Sequence, residues 1–429
     1  MKKKVLVRGP ALTSSGYGEH ARTILRALRA NEEKYEIFFE NINWGQTGFI
    51  IDDSEERAWM EHLLGKTQHY KQQNQNQALY DVSLQVTIPN EWEKVCPTNI
   101  GVTAGIETTK IAPHWVEKSK LMDGIMVTSE HAKFGFDNTV YQLENNQTGE
   151  KIEFRNDTPV EVVHYPVKDT VAKDVDLDLK YDFNFLTVAQ WGPRKNLDNT
   201  IRWFVEEFRD EEVGLIVKAN IKKGNIVDRG VCKARIQNLL KEYEGRKCSV
   251  HLIHGTMSEE EMTGVYTHPK VKAIVSTSHG EGFGLPLFEA AYNELPAVAP
   301  NWSGQVDFLY APKKDKKGKV KEKPYFTKVD YNIAPVQKEA VWDGVVQADS
   351  QWCFPKQASF KDALRSVYKN YGPKKSEAKK LAKHIRENFT LSGQYDKISN
   401  FIDRLCPPPE NHAAANQEFL DSLGIIEYE

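Results

Sequence analysis

The sequence predicts an α/β protein with two consecutive doubly wound domains, each a parallel sheet covered by helices on both faces. Three observations support this prediction. The 429 residues are enough for two to three domains of about 150 residues each. Short apolar segments alternate with amphipathic segments along most of the chain. A polar stretch over residues 169–180 divides this alternation into two series and is the predicted interdomain linker.

The first series begins with a strand, a loop rich in Gly, Pro, Ser and Thr, and an amphipathic helix. These elements are predicted at residues 5–7, 8–18 and 19–30, respectively. Polar residues 51–80 predict an exposed helix or loop. Further strands are predicted at residues 35–39, 82–88, 100–106, 124–127 and 160–165.

The second series has the same rhythm and continues into a helical C-terminal region. Strands are predicted at residues 183–188, 213–217, 250–253, 273–276 and 297–299. Helices are predicted at residues 197–208, 231–243, 285–293, 360–371, 376–389 and 394–405. Because ligands of such sheets bind at the carboxyl ends of the strands, two facing sheets predict an interdomain cleft.

Composition restricts the class of protein further. The 57 basic and 60 acidic side chains give a net charge of −3, so only a local patch can attract nucleic acid or an anionic membrane. Five scattered cysteines without a Cys-x-x-Cys pair favour a reducing, cytoplasmic location. No apolar run is long enough to span a bilayer, and the N-terminal run is too short for a signal peptide.

The most informative stretch covers residues 275–289, where a buried strand is followed by a glycine-rich turn and a helix start. Glycines let the backbone approach a ligand, and the free amides of a helix N-terminus favour phosphate. Glu281 and Glu289 flank this position, and a carboxylate accepts hydrogen bonds from ribose or sugar hydroxyls. The alternative is a plain strand–turn–helix with solvated acids.

Residues 279–290 resemble the E-x7-E motif of retaining glycosyltransferases of family 4 (group 1), which have the GT-B fold. Residues 188–197 resemble the donor-phosphate loop of that family, although Trp191 and Gly192 stand where an arginine is commoner. Residues 250–262 and 299–304 resemble further loops near the nucleotide. The resemblance is strong over residues 180–310 and concerns only the architecture elsewhere.

The resemblance implies a GT-B fold with an acceptor-side domain over residues 1–168 and a nucleotide-sugar-binding domain over residues 169–390. Residues 391–429 are expected to return to the first domain as a helix. The implied reaction moves a hexosyl or pentosyl group from a nucleoside diphosphate sugar to a hydroxyl acceptor, with retention. The implied co-substrate is the nucleotide sugar itself, with no other cofactor and no metal, and an oxygen of the donor phosphate receives the acceptor proton.

Family roles carry over onto matching positions of this chain. Lys195 and Arg194 are expected to hold the diphosphate, Glu289 the ribose, and Glu281 the transferred sugar. Glu107 equally fits a sugar contact and a helix N-terminal carboxylate, and Lys218 equally fits a phosphate contact and a solvated strand end. The predicted catalytic residues are Glu281, Lys195, Arg194 and Glu107. The predicted donor-binding residues are Gly16, Gly18, Lys218, Gly282, Phe283, Gly284, Leu285 and Glu289.

Two other segments of the chain carry concentrated charge. The run of aspartates over residues 174–178 lies in the polar linker instead of following a strand, so we do not interpret it as a metal site. The lysine-rich residues 313–323 predict a solvated hairpin, or a surface for a polyanion. Alternative functions are a non-catalytic nucleotide-sugar-binding protein and a glycosyltransferase acting on modified DNA. The sequence does not specify the donor base, the sugar, the acceptor or the oligomeric state.

Overall fold

The computed structural model describes residues 2–45, 47–74, 79–144, 149, 151–314 and 318–407. The first part of the chain alternates strands and helices, and four of its elements, over residues 113–119, 130–138, 140–144 and 151–155, were not predicted. Its strands are β1 (Lys3–Gly9), β2 (Tyr35–Asn41), β3 (Val82–Val86), β4 (Thr98–Thr103), β5 (Gly124–Val127), β6 (Val140–Glu144), β7 (Lys151–Arg155) and β8 (Val160–Val162). Its helices are α1 (Gly16–Arg29), α2 (Glu55–Gln73), α3 (Pro113–Ser119) and α4 (Glu130–Asn138).

The second part of the chain repeats this arrangement and ends in three consecutive helices. Its strands are β9 (Asn184–Gln190), β10 (Gly214–Asn220), β11 (Ser249–Ile253), β12 (Val271–Val275), β13 (Ala297–Pro300), β14 (Tyr310–Lys314), β15 (Val320–Pro324), β16 (Thr327–Val329), β17 (Tyr331–Pro335) and β18 (Gln351–Pro355). Its helices are α5 (Leu197–Phe208), α6 (Ile226–Leu240), α7 (Glu259–Thr267), α8 (Leu285–Tyr292), α9 (Val306–Leu309), α10 (Gln357–Lys369), α11 (Tyr371–Asn388) and α12 (Leu391–Leu405).

Each part forms a six-stranded sheet in which all neighbouring strands run parallel. The order is β2-β1-β3-β4-β5-β8 in the first sheet and β11-β10-β9-β12-β13-β16 in the second. Parallel strands are buried on both faces, which explains their continuous runs of Val, Ile and Leu. The order of strands reverses between β1 and β3 and between β9 and β12. Such reversals are where open α/β sheets bind ligands.

Local hydrogen bonds explain where two helices begin earlier than predicted. The predicted 8–18 loop is shorter, because the Ser15 hydroxyl accepts the Gly18 amide at 2.9 Å and α1 begins at Gly16. Gly16 and Gly18 therefore lie in the first turn of a helix, and their prediction as loop residues is wrong. Similarly, the side chain of Asn225 caps α6, which begins five residues before the predicted position 231.

Three hairpins lie outside the two main sheets. Strands β14 and β15 pair antiparallel, which is the hairpin predicted for the lysine-rich segment; residues 315–317 lie outside the described residues. Strands β6 and β7 form a second hairpin, and β17 and β18 form a third. None of β6, β7, β17 and β18 was predicted from the sequence. The loop between β17 and β18 reaches the first domain, where Val345 is buried and the Asn90 side chain donates to the Gly344 carbonyl at 3.1 Å.

The chain crosses back to the first domain at α12. Phe401 and Ile402 are buried in the core that surrounds β1 and α1, and Lys3 pairs with Asp403 at 2.5 Å. Residues 408–429 of the predicted C-terminal segment lie outside the described residues, and the three domain bounds stay a prediction. Among the helices that the structure describes, none combines the length and apolar character needed to cross a membrane.

Candidate active site

The candidate site lies where the strand order of the second sheet reverses, between β9 and β12. Strand β9 leads into a turn over Pro193–Lys195, and β12 leads into the glycine-rich turn before α8. Because β9 and β12 are neighbours and parallel, their carboxyl ends deliver both segments to the same edge of the sheet. Side chains that are 86 residues apart in sequence therefore meet.

The four predicted catalytic side chains form one ion cluster. The Lys195 Nζ atom lies 2.7 and 2.6 Å from Oε1 and Oε2 of Glu281. The Arg194 Nη1 atom lies 3.2 Å from Glu281 Oε2 and 3.1 Å from Glu107 Oε1. Glu107 belongs to the loop after β4 of the first sheet, so this cluster joins the two domains. We call these four residues the ion cluster.

Charge balance in the ion cluster sets the state of Glu281. Burial alone would raise the pKa of its carboxyl, but Lys195 and Arg194 outweigh burial and lower the pKa to about 2. Burial lowers the pKa of Lys195, although Glu281 opposes this shift. Burial also acts to lower the pKa of Arg194, but Glu107 and Glu281 raise it above its ordinary value. Glu281 is therefore ionised at neutral pH and does not act as a proton donor.

The turn before α8 exposes backbone amides next to the ion cluster. Within the described residues, the amides of Gly282, Phe283 and Gly284 have no hydrogen-bond acceptor. Gly284 has a φ of 97° and precedes Leu285, the first residue of α8, so this turn requires glycine. A Cβ on Gly282 would lie 2.8 Å from the Ala104 carbonyl of the first domain. The turn is thus held against the first domain with its amides free.

The side chain of Phe283 serves the core, not a ligand. It is 3% exposed, and its ring centroid lies 5.0 Å from those of Phe288 and Phe308. Its part in a ligand site is restricted to its backbone amide. Leu285 is partly buried against the same core cluster.

Glu289 lies on α8 and has different partners from the ion cluster. The Tyr266 hydroxyl donates to its Oε2 atom at 2.9 Å. Burial raises the pKa of its carboxyl to about 7, although the nearby Lys168 opposes the shift. Lys168 itself bridges two other acids, Glu19 at 2.7 Å and Glu259.

The structure does not bring Lys218, Gly16 or Gly18 into the ion cluster through any hydrogen bond or ion pair among the described residues. Lys218 follows the predicted strand but donates to the Gly255 carbonyl at 2.5 Å, and burial lowers its pKa. The Gly16 carbonyl accepts from the Tyr165 hydroxyl at 3.4 Å. A Cβ on Gly18 would lie 2.1 Å from the Thr13 carbonyl, so this glycine is required for packing.

Two residues that the sequence analysis left without a role hold the ion cluster in place. The Ser303 hydroxyl accepts the Glu281 amide at 2.8 Å, and the Trp302 indole donates to the Glu107 carbonyl at 3.3 Å. Both follow β13 in the segment 299–304, whose resemblance to a family loop was the available signal. Ser303 has a φ of 65°, an uncommon value outside glycine that fixes this turn.

Asp228, Cys232 and His254 form the one group of potential metal ligands found among the described residues, with ligand atoms within 4.8 Å of one another. Asp228 already accepts the amides of Ile221 and Lys222 at 3.0 Å each, and it contacts His254 Nε2 at 2.8 Å. These hydrogen bonds give the group a structural role, because they fix the loop before α6. The aspartates of the 174–178 run are exposed.

Two doubly wound domains whose strand ends meet at a shared cleft define the GT-B fold, and solved structures confirm it. Sucrose-phosphate synthase of Thermosynechococcus elongatus is similar with a TM-score of 0.60 and 11% identity, over 94% of this chain and 99% of that chain. A Rickettsia africae glycosyltransferase has a TM-score of 0.57 and 12% identity, over 95% and 99%. Anabaena HepE, in complex with UDP and glucose, has a TM-score of 0.57 and 11% identity, over 94% and 100%. No protein-family model and no curated protein matches the chain.

Proposed function

We propose that this chain is a retaining glycosyltransferase that moves a sugar from a nucleoside diphosphate sugar to a hydroxyl acceptor without a metal. The observation that carries the proposal is the ion cluster beside the free amides of residues 282–284. Helix starts with unpaired amides bind anions, and two cationic side chains next to them add positive charge where a diphosphate leaves. A plain strand–turn–helix with solvated acids would leave Glu281 exposed, whereas Glu281 is only 8% exposed.

Donor binding requires an exchange of partners within the ion cluster. Lys195 and Arg194 are already neutralised by Glu281 and Glu107, so the arriving diphosphate competes with these carboxylates for them. The displaced Glu281 carboxylate is then free to accept hydrogen bonds from sugar hydroxyls. Glu289 is the proposed ribose ligand, with its Tyr266 contact exchanged for the ribose.

The proposed reaction breaks the bond between the anomeric carbon and the diphosphate oxygen. The acceptor oxygen forms its bond on the same face of the sugar, and the acceptor proton passes to a donor phosphate oxygen. Lys195, Arg194 and the amides of residues 282–284 stabilise the negative charge that grows on the diphosphate. Ionised Glu281 stabilises the positive charge that develops on the sugar ring.

The donor that we propose to test first is UDP-glucose, because HepE has been solved with it and has the same fold. The unpaired state of the five cysteines supports the proposed cytoplasmic location.

The test measures nucleoside diphosphate release from a panel of UDP-, GDP- and ADP-sugars with a pool of hydroxyl acceptors. Mass spectrometry identifies the glycosylated product, and proton NMR of that product reports the anomeric configuration. We expect one donor to be consumed with retention. Donor binding without release or transfer would favour the non-catalytic alternative, and an inverted product would refute the mechanism.

A further inference from the structure

Helix α6 carries apolar residues on two opposite faces. At 100° per residue, Cys232, Ile236 and Leu239 point into the second domain, and all three are buried. The opposite arc carries Ile226, Val227, Gly230, Val231 and Ala234, and all five are exposed. A helix that is apolar on both faces is normally covered on both.

The exposure of this second face is large for aliphatic side chains. Ile226 is 77% exposed, Val227 is 71% exposed and Val231 is 51% exposed. Their clustering on one arc distinguishes them from the scattered apolar residues that any surface has.

Basic side chains without partners flank the apolar arc. Within the described part of the chain, no hydrogen bond or ion pair engages the side chains of Lys222, Lys223, Arg229 or Lys233. The one acidic residue between positions 213 and 241, Asp228, is buried and points into the domain. We call the exposed apolar arc and these four cations the α6 patch.

The α6 patch lies at the rim of the cleft. The loop before α6 follows the carboxyl end of β10, the edge of the second sheet that carries the ion cluster. A Cβ on Gly48 of the first domain would lie 3.6 Å from the Lys223 carbonyl, so both domains meet beside the patch. Phe49, which is 54% exposed, adds an aromatic side chain from the first domain.

We propose that the α6 patch docks the protein on an anionic lipid surface, with α6 lying in the interface. Exposed aliphatic side chains flanked by unpaired Lys and Arg match acyl chains beneath anionic headgroups. A nucleic acid fits less well, because Ile and Val offer no stacking surface for bases. Docking here presents the mouth of the cleft to acceptors held at that surface.

The test uses the full chain without donor, so it is independent of the proposed reaction. Sedimentation with vesicles of phosphatidylcholine alone is compared with vesicles that also contain phosphatidylglycerol. We expect binding only to the second kind, weakened by added salt. The variant I226S/V227S/V231S should lose at least about tenfold in partitioning, since each buried aliphatic side chain contributes. K222A/K223A should lose roughly 25-fold, at about fivefold per lysine.

Matched controls come from the β14–β15 hairpin. K321A/K323A removes the same charge from exposed positions, and V320S alters an aliphatic residue that is 52% exposed. Both controls should partition within about twofold of the wild type, and thermal melts should show every variant folded. The proposal is overturned if the phosphatidylglycerol vesicles are not bound, or if the hairpin variants lose as much as the α6 variants. It is also overturned if duplex DNA, but not vesicles, is retained by the patch.

Discussion

Replacing Lys195 with Met should separate activity from stability at the ion cluster. The pKa of Glu281 is about 2 against an ordinary 4.5, which corresponds to about 3 kcal/mol in favour of the ionised carboxylate in the folded protein. Lys195 supplies the largest share of that stabilisation, with Arg194 next. Because Arg194 remains 3.2 Å from Glu281, we expect a loss of about 1–3 kcal/mol in unfolding free energy at pH 7.

In the proposed reaction, the same substitution removes positive charge from beside the leaving diphosphate. Loss of one such preorganised contact typically lowers kcat by about 10²–10³-fold. The double variant K195M/E281Q also removes the Glu281 carboxylate, which K195M alone leaves without its lysine partner. That variant should regain stability and stay inactive. Urea unfolding and nucleoside diphosphate release measure the two effects, with K173M as the control for an exposed ion pair to Glu261 at 2.8 Å.

The pH dependence of unfolding gives a further check. A depressed carboxyl pKa stabilises the fold above pH 4.5, and that contribution is lost as pH falls from 4.5 towards 2. The slope of stability in this window should therefore be smaller in K195M than in the wild type. A fall in kcat of less than about fivefold, or recovery of activity in the double variant, would refute the assigned role of Lys195.

The remaining predictions concern other parts of the proposed donor site. Glu289→Ala should raise the donor KM about tenfold to a hundredfold with little change in kcat, because a charged hydrogen bond contributes roughly 1.5–3 kcal/mol. Glu281→Ala should instead lower kcat. Steady-state kinetics that show the opposite pattern would reverse the assignment. Burial raises the pKa of Glu289 to about 7, so the donor KM should increase as pH falls through 7. Because a raised carboxyl pKa lowers folding stability as pH rises from 4.5 towards 7, Glu289→Gln should have a higher Tm than the wild type at pH 8. Product formation should survive excess EDTA, and complete loss rescued by Mn²⁺ would contradict metal independence. Gly18→Ala should lower the Tm, because its Cβ would lie 2.1 Å from the Thr13 carbonyl, whereas Gly16→Ala, with nothing within 4 Å, should not; equal melting points would contradict the packing argument.

Most of the predicted elements are present because their signals are local. Apolar spacing alone placed α5 at its observed bounds and β5 at Gly124–Val127. The segments that carry Lys195 and Glu281 were also predictable, because each follows a buried parallel strand and resembles a family motif. The sequence did not show that Glu281 pairs with Lys195 and Arg194, because that contact depends on β9 and β12 being adjacent strands in the sheet.

Each error has its own physical cause. The start of α6 was missed because Ile226 and Val227 face solvent and therefore do not fit a pattern with one buried side. Strands β17 and β18 were missed because their pairing partners are 16–24 residues apart, and the Asp343-Gly344 turn signal between them is adjacent to neither strand. The direction of Lys218 was open because a position near the end of β10 does not specify which carbonyl its side chain reaches.

The position of α12 affects the order in which the chain folds during synthesis. Phe401 and Ile402 complete the core around β1 and α1, yet about 220 residues separate the predicted end of the first domain from the start of α12. At about 5–20 residues per second, a ribosome needs about 10–45 s to make that interval. During this time the apolar face of α1 lacks its final cover. The nascent first domain therefore keeps part of its apolar surface uncovered until the last helix emerges, and a chain stopped before residue 391 keeps it uncovered.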